Sequence, residues 1–460
     1  MPPREIHASV GQRLLWLKLE HERWSAVFNC PIVCRLDGPL DRASLRDALD
    51  ALYGRHDALR TTVVRRRREL RQIIHPATPI VERFHDLSHA PDPQEAVAAH
   101  LRDEIATAID PAQCASRITL WRLADERHLL CLNLHHLITD TWSCMVLQRE
   151  LPLLYEQRRR GDAPALPAVG WQFGQFMAYQ QRQMAGDGFQ RHREYWETQL
   201  AGASAPRLPL GAVPGRGVRS RATVRGDIDA ADARVLRDLA TRHRVTPFTI
   251  LLSIYDVLLR ALTGASDIAV ATLFANRLRP EVERTIGFIA NLVILRTRLD
   301  DVATFTDVVA RVQSTVGGGI AHQAFPYHVA MQRRPVAANQ PVGQPVVNQP
   351  AAAQRAPGAG RLDRVVFQML GERIDQTWRA GDVSFNWLVP DVGGRFDLEL
   401  SVMPIDEVLG VKLYYSTEAV DPAWADQFLK AYLAVAAAVA AAPDGALDDV
   451  TAALTAQPFI

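Results

Sequence analysis

Residues 129–143 read Leu129-Leu130-Cys131-Leu132-Asn133-Leu134-His135-His136-Leu137-Ile138-Thr139-Asp140-Thr141-Trp142-Ser143. Leu130, Leu132 and Leu134 recur with period two, and Cys131, Asn133 and His135 fill the alternate positions. The run therefore predicts a β-strand with two distinct faces. From Trp142 onward the period changes, and Met145, Leu147, Leu151 and Leu154 offer a helical stripe. The tandem histidines and Asp140 fall between the two patterns. A strand–loop–helix junction of this kind presents side chains from a rigid scaffold, where sites are often built.

A neutral imidazole at such a junction accepts a proton from an attacking amine or hydroxyl, or donates a hydrogen bond to a tetrahedral intermediate. Either role needs a fixed ring. Asp140 is suited to fixing it, directly or through an arginine that braces the loop. The structural alternatives are a pair of strand-end histidines satisfied by their neighbours and an aspartate that caps the following helix. Zinc ligation by His136 and Asp140 needs helical spacing and a third ligand, and neither is evident. Ser143 sits in the first helical turn, and the chain has no GxSxG elbow to make it a nucleophile. It also lacks GxxxxGK[ST] and GxGxxG, so nothing points to nucleotide chemistry.

The rest of the chain sets the frame. At 460 residues it is long enough for two or three lobes. Lys+Arg total 52 against 51 Asp+Glu, a balance that argues against a general nucleic-acid or anionic-membrane binder. Arg65 to Arg68 form a short basic run, read as a solvated strand or hairpin edge and alternatively as a docking patch for an acidic partner. The five cysteines lack metal-ligand spacing, and Cys30 and Cys34 fall on one side of an alternating run, so buried free thiols are expected. No apolar segment opens the chain, and the most apolar helical stretch, 246–262, contains Asp256 and Arg260. It reads as a core helix and not a membrane span. A cytoplasmic protein is the expectation.

Further elements follow from pattern. Residues 40–53 read as a helix with Asp41 as N-cap and Gly54 just past its end. Residues 58–64 and 117–123 read as strands, and 171–200 as two helices that bridge the halves. Residues 207–221 are rich in Pro, Gly and Arg and read as a linker. A second half has strands near Val224 and at 268–273, 289–296, 396–402 and 411–416, and a helix at 305–316. A final Ala-rich helix starts at Asp421-Pro422. Residues 334–360 repeat Gln-Pro amid Ala, Val, Asn and Gly, a composition that predicts a mobile insert. The divisions are then 1–175 for a first lobe, 176–222 for bridging helices and linker, and 223–460 for a second.

With these residues in hand, HHLITDTWS resembles the HHxxxDG core of the condensation domains of nonribosomal peptide synthetases, within the chloramphenicol acetyltransferase-like superfamily. Ser9-Val10-Gly11-Gln12-Arg13-Leu14-Leu15-Trp16 resembles SxAQxRLW, and Arg55-His56-Asp57-Ala58-Leu59-Arg60-Thr61 resembles RHExLRT. Trp171-Gln172-Phe173-Gly174-Gln175-Phe176 is a loose version of YxDYAxW, and Tyr195-Trp196 through Gly202 resembles YWxxxLxG. Ala275-Asn276-Arg277, Ile286 to Asn291 and His322-Gln323-Ala324-Phe325-Pro326 are similar to ANRxRPE, IGxFVNT and HQDxPFE. Phe367-Gln368 and Phe396-Asp397-Leu398 match later family segments, so the resemblance covers nearly the whole chain.

The resemblance implies an α/β fold: two chloramphenicol-acetyltransferase-like lobes in a V, with the active-site tunnel between them. It implies a condensation enzyme of nonribosomal peptide or hybrid polyketide biosynthesis, passing an acyl or peptidyl thioester to an amine or hydroxyl. His136 is the expected catalytic residue, His135 its support and Asp140 the loop brace. Asp140 is expected to pair with Arg277 first and Arg279 second. Ser143 and Asn291 are expected as helix-turn and tunnel-lining residues. Thr141 stands where the family has glycine; its β-branched side chain resists positive φ and narrows the channel. No bound cofactor or metal is implied. Substrates arrive on the 4′-phosphopantetheine of carrier proteins, the acceptor is carrier-bound or a free small molecule, and the protein is a monomer. Two alternatives share the motif: an acyl-CoA-dependent O-acyltransferase and a non-catalytic recruitment domain. The absence of adenylation and carrier motifs implies a free-standing enzyme or a domain excised from a larger synthetase.

Overall fold

The computed structural model describes residues 2–21, 26–67, 69–186, 188–210, 221–326, 361–370, 377–390 and 394–455. The expected insert at 334–360, most of the 207–221 linker and Arg68 lie outside the described residues.

The first half runs β1 (Arg4–His7), α1 (Val10–His21), β2 (Asn29–Asp37), α2 (Arg42–Arg55), β3 (Thr61–Arg66), β4 (Glu69–Ile74) and β5 (Glu82–Asp86). It continues with α3 (Pro93–Ala106), β6 (Ser116–Ala124), β7 (Arg127–His135), α4 (Thr141–Arg159), α5 (Phe173–Ala185) and α6 (Gly188–Leu200). The second half runs β8 (Arg221–Ile228), α7 (Ala230–His243), α8 (Pro247–Thr263), β9 (Asp267–Phe274), β10 (Asn291–Arg298) and α9 (Phe305–His322). Then come β11 (Val365–Met369), β12 (Thr377–Ala380), β13 (Val383–Leu388), β14 (Leu398–Ile405), β15 (Val408–Ser416), α10 (Pro422–Ala441) and α11 (Leu447–Thr455).

Two mixed six-stranded sheets organise these elements, with orders β12-β13-β2-β7-β6-β5 and β10-β9-β11-β14-β15-β8; β1, β4 and β3 form a small third sheet. The alternation in β7 is realised on both faces. Leu130, Leu132 and Leu134 join Leu45, Leu49 and Leu52 of α2 and Leu147, Leu151 and Leu154 of α4 in one core. On the opposite face Leu129 and Cys131 pack with Val97 of α3 and Trp121. Burial on both sides explains why this strand is almost continuously apolar.

In the second half, α8 sits deep in the largest core with α7, α9 and α10 around it. Its start has Thr246 accepting from the Thr249 amide and Pro247 in the first turn, and its end is left-handed Gly264 (φ 67°). This is the N-terminal proline and C-terminal glycine chemistry that delimits a helix. No single helix among the described residues is long and apolar enough to cross a membrane. All five cysteines are free thiols.

Three expectations change. Gly54 does not follow α2 but lies in its last turn; the helix ends at His56, which turns away to meet Glu150 Oε2 at 2.8 Å. The Ala-rich helix α10 is followed by a further helix, α11. A cut of the chain at 176–222 assigns residues 377–388 to the second lobe, yet β13 pairs antiparallel with β2 from Ser384↔Asp37 to Leu388↔Val33. The second half thus lends two strands to the first sheet. Period-two pattern shows that a segment is a strand but not which sheet edge it joins.

Candidate active site

β7 ends at His135, and the chain turns through Leu137–Thr139 before α4 begins at Thr141. The two histidines face different surroundings, as successive residues leaving a strand must. His135 is buried; its Nδ1 accepts the Leu137 amide at 3.0 Å, so its proton resides on Nε2, which has no partner among the described residues. Burial, and then the Arg395 cation, push it down to about 3. It is a neutral ring locked into the turn.

His136 keeps some surface. Its amide donates to the Phe28 carbonyl at 2.8 Å, and its Nδ1 lies 2.8 Å from the Thr139 carbonyl. A carbonyl only accepts, so Nδ1 carries the proton and Nε2 presents a lone pair. No protein partner takes that lone pair among the described residues. The Phe288 ring, from the second half, lies 4.8 Å from the imidazole between centroids. Burial and Arg395 hold His136 well below its ordinary value, against opposing pulls from the Thr139 carbonyl and Asp140.

Asp140 is saturated. Oδ1 accepts from the Ser143 amide at 2.8 Å, the Ser143 hydroxyl at 2.7 Å and Arg277 Nη2 at 3.0 Å. Oδ2 accepts from Arg277 Nη1 and from the Ile289 and Ala290 amides, each at 3.0 Å. Burial pushes this carboxyl up, but the Arg277 guanidinium and the Ser143 donors outweigh it and the net displacement is downward. The fork-to-fork pair leaves Arg277 with 3% of its side chain exposed and Asp140 with 2%. Such geometry gives the pair both strength and direction.

Ser143 extends the clasp, receiving the Gly287 amide at 3.1 Å and Arg277 Nη2 at 3.1 Å. Trp142 adds a bond from its indole to the Glu283 carbonyl at 2.8 Å. Residues 277–290 of the second half are therefore fastened to the loop behind His136. Two backbone features make room for this. Asn276 adopts a left-handed conformation (φ 55°) and donates to the Ile289 carbonyl, a conformation its short polar side chain tolerates. At Gly287 a Cβ would come within 2.3 Å of the Phe173 ring.

The other expected residues fall as follows. Arg279 is not a partner of Asp140: it pairs with Glu281 at 2.8 Å and lies over Trp171 and Tyr179. Asn291 commits its amide to the Gln323 and Phe325 carbonyls at 2.8 and 2.7 Å, which holds the turn after α9. Thr141 is exposed in the first turn of α4 and is not among the positive-φ residues. The strain expected from losing a glycine is absent, because Asp140 supplies the extended backbone and Thr141 is already helical.

Three further contributors, Ser9, Gln12 and Arg395, had no role in the sequence pattern. Ser9 and Gln12 form a reciprocal capping box on α1, and Gln12 Nε2 also donates to the Leu137 carbonyl at 2.8 Å. The Ser-x-x-Gln spacing is a legible signal for the cap; the reach to residue 137 is not. Arg395 leaves no local signal at all, since it acts across the fold.

The profile described as "Condensation domain" matches residues 4–457. Chondramide synthase of Chondromyces crocatus is 31% identical over 474 residues, covering 99% of this chain and 12% of that protein. The chain thus spans a small part of the synthase it matches. The starter condensation domain of rhizomide synthetase, solved with C8-CoA and Leu-SNAC, has a TM-score of 0.81 at 18% identity, covering 96% of both chains. The X-domain from teicoplanin biosynthesis has a TM-score of 0.80 at 22% identity, covering 98% of both. At these identities the structural likeness is one of fold: two chloramphenicol-acetyltransferase-like lobes.

Proposed function

We propose, for a chain that belongs to the condensation-domain family, that it transfers a carrier-bound acyl or peptidyl thioester to an amine or hydroxyl in natural-product biosynthesis. The observation that carries this reading is the one-sided His136: a ring fixed through Nδ1–H and a free lone pair on Nε2. The nucleophile attacks the thioester carbonyl carbon, a C–N or C–O bond forms, and the carbonyl electron pair moves onto oxygen. His136 Nε2 accepts the nucleophile's hydrogen bond. Collapse of the intermediate breaks the C–S bond, and the departing phosphopantetheine thiolate receives the proton.

The electrostatics favour one form of this role. A histidine held well below its ordinary value is neutral at physiological pH but a weak base. It therefore suits orienting the nucleophile's lone pair and relaying its proton as charge develops, and not prior deprotonation. Asp140 has no acid–base part in the scheme, because all its lone pairs are engaged. Its clasp with Arg277 and Ser143 holds the loop that fixes His136, so the active-site tunnel is read as lying between the lobes where His136 meets Phe288. A donor carrier protein is the implied partner, with the acceptor on a second carrier or free. The domain is read as a cytoplasmic monomer that holds no metal or cofactor of its own.

The test uses an acyl-loaded carrier protein and a panel of amine and alcohol acceptors. His136→Ala is expected to lower product formation by about 10²–10⁴ with little change in unfolding midpoint. Undiminished turnover in that variant overturns the role of His136, and a strong preference for acyl-CoA over the carrier overturns the donor assignment.

A further inference from the structure

Arg395 stands three residues before β14, in the second half of the chain, yet its guanidinium is spent on the first half. Nε donates to the Val27 carbonyl at 3.2 Å, and Nη2 donates to the Asn29 carbonyl at 3.4 Å and the Cys30 sulfur at 3.2 Å. The same backbone holds the histidines. Phe28 receives the His136 amide, and Asn29 is the strand partner of His135.

None of these three acceptors is charged. Burial pushes the Cys30 thiol up, so its sulfur stays protonated. Glu399 accepts the Arg395 backbone amide at 3.3 Å and not its guanidinium; burial pushes that carboxyl up, and the Arg395 charge pulls it partly back. Among the described residues the Arg395 guanidinium has no carboxylate partner. Arg277, on the other side of the loop, is neutralised by Asp140. An unpaired cation drawn partly out of water is costly. A fixed positive charge held ready is what a reaction that builds negative charge requires.

We propose that Arg395 is a positioning residue for the chemistry at His136: its guanidinium clamps the strand edge beside the ring and holds a fixed cation near it. The inference rests on the condensation reading for the reaction that benefits. The groups that face His136 divide cleanly. Arg395 and His135 disfavour its protonation, while Asp140 and the Thr139 carbonyl favour it. Asp140 is offset by Arg277, and Cys30 and Cys144 are both held as thiols by burial. Arg395 is left as the cation whose guanidinium bonds no carboxylate among the described residues, with Glu399 acting on it through charge alone.

The experiment is a histidine titration by NMR on the full chain, wild type against Arg395→Gln and Arg395→Lys, with the pH–rate profile of amide formation alongside. In R395Q, His136 is expected to titrate higher than in the wild type, and the acid limb of the rate profile moves with it. R395K stays close to wild type. An unchanged His136 titration in folded R395Q overturns the proposal. Should R395Q fail to fold, R395K decides: a His136 that stays low supports the charge argument, and one that moves up overturns it. The titration needs no turnover. A chain with no condensation activity would refute the proposed function and leave this inference to be judged on the titration alone.

Discussion

Asp140 and Asp256 are both buried carboxyls, at 2% and 1% exposure, and they are built in opposite ways. Asp140 lies in the clasp between the halves, with a guanidinium and four further donors on its two oxygens. Asp256 lies on α8 in the core of the second lobe, and its Oδ1 has no partner among the described residues. Burial raises Asp256 to about 8, with only the Thr297 hydroxyl pulling the other way. Asp140 is displaced downward despite burial of the same kind. Burial alone therefore does not decide whether an acid is charged inside this fold; the donors delivered to it do. The charged one stands beside the proposed catalytic histidine, in the clasp that fixes its loop. The neutral one receives the Thr297 hydroxyl and, among the described residues, no cation.

The largest effect is expected from breaking the clasp. Asp140→Ala leaves the Arg277 guanidinium buried without a counter-charge, and removing one partner of a buried pair costs about 3–5 kcal/mol. Chemical denaturation checks this, and condensation activity is expected to fall with it because the His136 loop loses its anchor. Full stability in D140A would show that the pair is replaced by water without cost.

The pH dependence of stability separates the two acids next. Asp140 is lowered in the folded state, so its contribution is present above the ordinary carboxylate range and is lost as pH falls through the folded value. Asp256 is raised, so the unfolded chain sheds its proton near pH 4 while the folded chain keeps it until about pH 8. Its share of stability therefore declines as pH rises across that window. Asp256→Asn, which cannot ionise, is expected to flatten the decline and to stabilise the protein most at the alkaline end. Denaturant midpoints measured from pH 5 to 9 test it, and parallel curves for the two proteins would contradict the assignment.

The smallest effect is expected next door to Asp140. Thr141→Gly restores the residue found in the resembling motif, but Thr141 is exposed and helical. Stability should change by no more than about 0.5–1 kcal/mol, and the wild-type chain should not lose condensation activity for carrying threonine. A large gain in turnover in T141G would instead show that the side chain obstructs a substrate.

Local pattern carried much of this protein. The strand that ends in the histidines, the helix that follows, the cap at Asp41 and the buried character of α8 are all written in period and terminal chemistry within a few residues. The choice of Arg277 ahead of Arg279 came from motif resemblance and agrees with the geometry of the pair. Other features depend on residues far apart in the chain. Nothing near 377–388 states that these strands complete the first sheet, because an edge accepts any strand whose faces suit it. Nothing near 395 states that its arginine reaches Val27, Asn29 and Cys30. By itself, the sequence determined the elements, their buried faces and a histidine at a strand end, since each rests on near-neighbour sterics and periodicity. Only the tertiary structure decided which nitrogen of His136 is free, which carboxyls are charged and which cation bonds no carboxylate, because those depend on donors and charges that the fold brings in from distant segments.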